Sequence, residues 1–287
     1  MSSFIAWYLF LAGTGSGAFV LALFMPQPKT SPSPVIDRVQ SRFSIGMLLS
    51  ACCLILASLC LLFDFQEPLG TWRVILTPFV SITSIGAHAL VLFTVLTTAV
   101  AVFVNIARAV PRWLMWTART LGLLLALVTM IYSGVLLKGL IAIEVWNTWL
   151  LPALFVASSF CCGLAVLLLT ESLLPLVDSA KSPQLWKMQM PLGAIEAFVL
   201  SVYVSDRFIH SATTRSSIET LLFGDYALVF WIGVVFSGFL VPTLARLLGK
   251  RVKREYLTQV SAIGILVAGF FLRLSVVGIA VRVPLFS

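Results

Sequence analysis

Long apolar stretches alternate along this chain with short segments rich in charge or proline. A transmembrane helix needs about 20 mostly apolar residues, so the pattern predicts an all-α integral membrane protein with eight transmembrane helices in one bundle. We expect a single transmembrane domain over residues 1–287. The predicted spans are residues 4–25, 44–63, 78–104, 113–137, 149–174, 187–206, 221–248 and 258–281. The sixth span is the weakest, because it contains Glu196 and has Pro191 and Asp206 near its ends.

The amino-acid composition agrees with this pattern and argues against a soluble domain, a secreted protein and a nucleic-acid-binding protein. Hydrophobic residues make up 60% of the chain and charged residues only 10%, and the mean hydropathy is +1.06, far from the balance of a soluble domain. The first apolar run has no positive residues before it and is long enough to span a bilayer, which favours a first span over a signal peptide. The net charge of +8 does not indicate nucleic-acid binding, because basic residues in membrane proteins mainly record cytoplasmic loops.

The distribution of lysine and arginine predicts the orientation of the protein. Twelve of the 19 basic residues fall in odd-numbered connections, most densely in "GKRVKRE" between the last two spans. Five fall in even-numbered connections or termini, and Arg119 and Arg273 lie within spans. By the positive-inside rule both termini are extracytoplasmic, and the connection between the fourth and fifth spans faces outward as well.

Polar residues near the membrane gather toward this predicted outer side. Charges within a bilayer are expensive and usually face protein or a watered cavity. Most members of the set lie on the outer ends of spans or in the loop between the fourth and fifth spans: Tyr8, Asp64, Glu67, Tyr132, Glu144, Trp146, Asn147 and Arg273. Arg119 and Glu196 are the exceptions, on the inner side and near the middle. The pattern predicts one polar pocket under the outer surface, while an aromatic belt with snorkelling side chains is the alternative for residues such as Lys138 and Trp149.

Other features narrow the chemistry. Gly13 and Gly17 share one helix face, which favours close helix packing, with a flat opening for a ring-shaped ligand as the alternative. Only two histidines are present, His88 and His210, and their different predicted depths argue against a bis-histidine haem. The five cysteines lie in apolar runs without a metal-binding or ferredoxin-like spacing, so we expect no haem, metal or iron–sulfur cluster in this protein. His88 is expected to be buried and hydrogen-bonded to a neighbouring helix, or to handle protons.

Several segments resemble one family along essentially the whole sequence. They are "WYLFLAGTGSGAF", "LLFDFQEP", "SITSIGAHAL", "YSGVLLKGLIAIEVWNTWLLPALFVAS" and "AGFFLRLSVVG". They are similar to the NrfD/PsrC family, the membrane subunits of polysulfide reductase-type and nitrite reductase-type complexes, which are related to the dimethyl sulfoxide reductase anchor subunit. The resemblance implies a multi-pass subunit in a bacterial or archaeal cytoplasmic membrane, active in anaerobic respiration.

The resemblance also implies partners and a site. It implies electron exchange between a quinone pool, menaquinone or ubiquinone, and an iron–sulfur subunit that connects to a molybdopterin catalytic subunit. Tyr132 matches a family tyrosine that could donate to a quinone carbonyl, and Asp64 matches an aspartate that could carry protons. Tyr8 lies close to a position that is histidine in some members, so this sequence departs from the form with a direct histidine ligand. His88 stands where many relatives have tryptophan.

Together these inferences predict one mechanism and leave two alternatives. Quinol oxidation releases two protons with two electrons, so a site needs hydrogen-bonding groups and an ionisable route to water. We expect Tyr8, Asp64, Tyr132, Trp146, Asn147 and Arg273 to form the quinone site, with Asp64 and Tyr132 acting on the quinol. Glu67, His88, Arg119 and Glu196 are the candidates for moving protons. There are two alternatives. One is a proton-coupled secondary transporter that uses Asp64, Arg119, Glu196 and Arg273, and the other is a passive anchor without a quinone site.

Overall fold

The protein is described by a computed structural model over residues 3–24, 42–64, 82–106, 112–140, 143–173, 183–248 and 254–279, which form helices and turns without any β-strand. The first four helices are α1 (Ser3–Phe24), α2 (Arg42–Asp64), α3 (Ile82–Ile106) and α4 (Arg112–Lys138). A single 3₁₀ turn, Glu144–Trp146, precedes α5 (Leu150–Leu173) and α6 (Pro183–His210). After the short α7 (Ala212–Leu222), helix α8 is π-helical over Val229–Leu240 and α-helical over Val241–Leu247, and α9 covers Arg254–Gly278.

Seven helices in the described part of the protein are long and apolar enough to cross a membrane: α1 to α5, α8 and α9. The multi-pass all-helical prediction is thereby confirmed for these seven. Helix α6 has 28 residues and is the least apolar of the long helices, and it is not one of these seven. The eighth span and the orientation of the termini therefore stay predictions.

The seventh predicted span began too early. Residues 212–222 form a separate, largely polar helix, and a turn around Gly224 and Asp225 separates it from α8. Helix α7 begins with a capping box, in which the Ser211 hydroxyl accepts from the Thr214 N–H and the Thr214 side chain accepts from the Ser211 N–H. The turn interrupts the apolar run that the hydropathy pattern assigned to one span.

Helices α1, α5 and α9 form the centre of the bundle. Helix α1 packs on α2, α4, α5 and α9, and α5 packs on α1, α4, α6 and α9. Most residues of α1, α5 and α9 are buried inside the protein, whereas about two thirds of those in α2, α3 and α8 are not. The outer helices therefore present apolar side chains to the bilayer, and the three central ones are surrounded by protein.

Small residues bring α1 and α5 into backbone contact. A Cβ atom added at Gly17 would collide with the Ser159 carbonyl group, and one added at Gly163 would collide with the backbone of Gly17 and Ala18. This contact confirms the packing interpretation of Gly17. At Gly13 an added Cβ would lie 2.7 Å from the Arg273 guanidinium, so this glycine leaves room for a charged side chain.

The helix ends that the basic residues assign to the outer side lie together at one end of the bundle. Phe4 at the start of α1 stacks at 6.5 Å from Phe63 at the end of α2. The Lys138 Nζ atom at the end of α4 lies 3.3 Å above the Trp149 ring, which precedes α5. We call this end the predicted outer end and the opposite one the predicted inner end.

Candidate functional site

The loop between α4 and α5 is tied into the bundle by its tryptophan. Trp146 is completely buried, and its indole N–H donates to the Val276 carbonyl at 2.8 Å. The Tyr203 hydroxyl of α6 donates to the neighbouring Val145 carbonyl at 3.2 Å. Asn147, the next residue, is exposed. Trp146 thus anchors the loop to α9, and Asn147 is left on the surface of the predicted outer end.

A series of polar contacts holds the same loop against the corner between α6 and α7. The Ser211 hydroxyl donates to the Glu144 carboxylate at 2.9 Å. The Thr214 hydroxyl donates to the Arg207 carbonyl at 2.6 Å, and the buried Arg207 side chain pairs with Asp206, Nε to Oδ2 at 2.8 Å. Sequence reasoning treated Arg207 only as a loop charge. The Ser-x-x-Thr pattern before α7 was the signal that could have indicated this corner.

Two phenols from different helices lie buried near the predicted outer end. Tyr8 of α1 and Tyr132 of α4 both belong to the main apolar core, with exposed fractions of 4% and 8%. Their side chains are close enough to interact electrostatically. The Tyr132 ring lies directly against Gly86 of α3, where a Cβ atom would collide with it. Three helices thus place two hydrogen-bonding hydroxyls among apolar walls.

Arg273 of α9 lies deeper, at the centre of the bundle, and is completely buried. Its Nε donates to the Leu9 carbonyl at 3.1 Å and its Nη1 to the Gly269 carbonyl at 2.8 Å. The remaining bonds go to α5, from Nη1 to the Ser158 hydroxyl and from Nη2 to the Ser159 hydroxyl, each at 3.1 Å. Ser158 is eight residues into α5, which puts the guanidinium about 12 Å below the helix start at 1.5 Å per residue.

This arrangement makes a buried charge tolerable. An isolated charge near the bilayer centre costs about 3 kcal/mol or more, and paired or hydrogen-bonded groups reduce that cost. Arg273 meets four oxygen acceptors on α1, α5 and its own helix, and its guanidinium carbon lies 5.4 Å from the Phe155 ring centre. Because Leu9 follows Tyr8 directly, the guanidinium binds the backbone beside the phenol pair.

Glu196 lies on the other side of the same serine. It is near the middle of α6, and its carboxylate lies close enough to the side chains of Ser158 and Cys161 and to the Arg273 charge to interact with them. Ser158 therefore lies between the carboxylate and the guanidinium. The sequence assigned Arg273 to the outer cluster and Glu196 to an inner exception, whereas the structure connects the two.

Glu196 also lines a cavity of about 230 Å³ between α5, α6, α8 and α9. The cavity lies in the half of the bundle nearer the predicted inner end, since it reaches Gln189 of α6 and Pro242 of α8. The Gln189 amide donates to the Ser261 hydroxyl of α9, and this bond joins α6 to α9 beside the cavity.

The remaining predicted site residues are Arg119, His88, Asp64 and Glu67. Arg119 is exposed on α4 and does not line the cavity. His88 is half-buried on α3, and its Nδ1–H donates to the Ser84 carbonyl of its own helix at 2.7 Å, so this bond is not to a neighbouring helix. Asp64 is the last residue of α2, but its side chain lies outside the described part of the structure, as does Glu67.

Three site residues were missed because they look ordinary in sequence. Ser158, Ser159 and Cys161 lie inside the apolar run "VASSFCC" of α5. Serines in membrane helices commonly bond back to their own helix, as Ser159 does to the Phe155 carbonyl at 2.7 Å. Only their position opposite Arg273 and Glu196 distinguishes them.

These features define a multi-pass helical membrane protein with buried polar groups between its helices. Residues 2–283 match the family described as polysulphide reductase, NrfD. The protein therefore belongs to the NrfD family of membrane proteins.

Individual relatives agree over most of their length. The sequence is 28% identical to the C subunit of polysulfide reductase from Wolinella succinogenes, over 84% of this protein and 80% of the relative. It is 26% identical to the protein NrfD homolog of Haemophilus influenzae, over 93% and 91% of the two sequences, and 26% identical to protein NrfD of Escherichia coli, over 84% and 82%.

Proposed function

We propose that this protein is the quinone-interacting membrane subunit of a reductase complex. In this role it passes electrons between a quinone pool, menaquinone or ubiquinone, and an iron–sulfur subunit docked at the predicted outer end. A molybdopterin subunit completes the complex and carries the terminal chemistry. Membership of the NrfD family and the likeness to a protein named as a polysulfide reductase subunit support this role.

The observation that carries the proposal is the pair of buried phenols. Tyr8 and Tyr132 offer hydroxyl groups that can donate to a quinone carbonyl or accept from a quinol hydroxyl. Gly86 of α3 leaves room for the Tyr132 ring, and a planar quinone head group would reach the phenol hydroxyls from the lipid between helices. Arg273 supports this site from below by holding the α1 backbone at Leu9.

Quinol oxidation beside these two phenols releases two electrons to the partner's nearest cluster and two protons. Asp64 and Glu67, at or just beyond the end of α2, are the proposed carriers of those protons to the outer side. Asn147 and Trp149 are exposed at the same end of the bundle, so they are available to the docked iron–sulfur subunit.

The test uses the complex purified with its native partners. Quinol is added, and reduction of the iron–sulfur centres is followed by electron paramagnetic resonance together with steady-state turnover. Tyr132→Phe and Tyr8→Phe remove one hydroxyl each while keeping the ring. We expect each to lower quinol-dependent kcat/KM about tenfold, because a lost transition-state interaction of about 1.4 kcal/mol changes a rate tenfold. Tyr256→Phe is the matched control, since Tyr256 is exposed near the predicted inner end.

Two outcomes would contradict the proposal. Unchanged turnover in both phenol variants would remove these tyrosines from the quinone site. A wild-type complex that assembles with its partners but shows no quinol-driven reduction would support the passive-anchor alternative.

A further inference from the structure

The cavity beside Glu196 is large enough to hold water, and its mostly apolar lining includes a few polar side chains. Its volume of about 230 Å³ leaves room for several water molecules, each of which takes about 30 Å³ in the liquid. A buried water needs two to four polar partners. The Glu196 carboxylate, the Gln189 amide and the Thr243 hydroxyl line this space and provide them.

The backbone of α8 adds a further polar group. Pro242 lines the cavity and has no N–H to donate to the preceding turn. Helix α8 changes from π-helical to α-helical geometry at Val241, directly before this proline. Pro242 therefore donates to no carbonyl of the preceding turn, and Gly238 of that turn also lines the cavity.

The carboxylate has partners on the side away from the cavity as well. Ser158 lies close enough to Glu196 to interact with its carboxylate, and its hydroxyl accepts from the Arg273 Nη1 at 3.1 Å. The other titratable groups near Glu196 are the thiols of Cys161 and Cys162 on α5. In its charged form, Glu196 thus balances the buried positive charge of Arg273 across one serine. When Glu196 is neutral, only the serine hydroxyls and the backbone carbonyls stabilise the charge of Arg273.

We propose that Glu196 is a proton-binding site that exchanges protons with the aqueous phase at the predicted inner side through this cavity and is linked to Arg273 by Ser158. In the loading step a hydronium ion in the cavity transfers one proton to the carboxylate, which forms one O–H bond and leaves neutral water. No electron moves in this step. The proposal goes beyond the quinone chemistry at the outer end, where protons are released to the other side, and it does not depend on that chemistry.

Dicyclohexylcarbodiimide tests the site directly on the purified full-length protein with its native partners. This apolar reagent adds to a protonated carboxylic acid: the carboxyl oxygen bonds to the carbodiimide carbon, the proton goes to its nitrogen, and nothing leaves. The product gains the full mass of the reagent, which peptide mass spectrometry locates. We expect label on Glu196 that declines as pH rises, with little on the exposed Glu219 and Glu255.

Gly193 provides a matched pair of variants for the route. It lines the cavity, and a Cβ added there would have no atom within 4 Å, so larger side chains fit without displacing the helix. Gly193→Leu should fill the cavity and reduce labelling of Glu196 at least fivefold. Gly193→Ala, which adds only one methyl group, should leave it within twofold. Equal labelling in both variants would overturn the proposed route.

Ser158→Ala tests the link to Arg273. Loss of a hydroxyl that stabilises the carboxylate should let labelling persist to higher pH. An unchanged pH profile in Ser158→Ala would overturn the link, and absence of label on Glu196 at every pH would overturn the proton-binding site. Since no readout here is quinol turnover, these results are independent of the test of the proposed function.

Discussion

Trp146→Phe should destabilise the protein although it changes neither charge nor the apolar character of the site. Helix α9 ends at Gly278, so the Val276 carbonyl lies among the last four, which have no partner within the helix. The Trp146 indole N–H, completely buried, donates to this carbonyl at 2.8 Å. Phenylalanine keeps a ring in place but cannot donate.

The size of the effect follows from what the substitution leaves behind. A buried acceptor that loses its partner costs about 1–3 kcal/mol. The smaller ring also leaves a gap, and truncations of buried aromatic residues to alanine reach about 3–5 kcal/mol. We therefore expect Trp146→Phe to cost about 2 kcal/mol and Trp146→Ala about twice that. The contact also fixes the loop to α9, so the loop should become more mobile.

The assay is thermal unfolding of the detergent-purified complex, with the amount of folded protein in membranes as a second measure. Trp149→Phe is the control, because Trp149 is 70% exposed and contacts the Lys138 ammonium at its face. It should change stability by no more than about 0.5 kcal/mol, as surface substitutions usually do. If Trp146→Phe and Trp149→Phe proved equally stable, the indole bond would not be holding the loop.

Three further predictions test other parts of the structure. Gly86→Ala should displace the Tyr132 ring and raise KM for quinol several-fold while the complex still assembles, as measured by steady-state kinetics and gel filtration. Arg273→Lys should reduce folded protein in membranes several-fold, because one ammonium cannot reach all four acceptors and breaking buried charge contacts costs about 3–5 kcal/mol. If α6 spans the membrane, single cysteines placed at the exposed Lys187 and His210 in a cysteine-free background should react with an impermeant maleimide from opposite sides; labelling from one side only would contradict the eight-span topology.

Hydropathy predicted most of the helices because the bilayer imposes a simple requirement on them. Each span must be about 20 residues long and apolar, since unsatisfied backbone groups are excluded from lipid. The predicted bounds of α4, residues 113–137, differ from Arg112–Lys138 by one residue at each end. The method failed where a polar turn interrupts an apolar run, as before α8.

The candidate site was predictable only in part. Tyr8, Tyr132 and Arg273 stand out in sequence because polar side chains inside apolar runs are expensive, and all three are buried in the structure. Their partners could not be predicted in the same way. Ser158 differs from any other helix serine only through what lies opposite it on α6 and α9, and a single sequence does not contain that information.

Helix α6 shows why its polar composition and its position in the bundle belong together. Lys187 lies near its start and Asp206 near its end, so these charges lie near the membrane surfaces if α6 spans the bilayer. Glu196 is about 20 Å from either end at 1.5 Å per residue, too far for its short side chain to reach a surface. Ser158 on α5 lies beside this carboxylate and accepts from Arg273, so it connects the two charged groups. Glu196 thus joins α6 to the polar centre of the bundle.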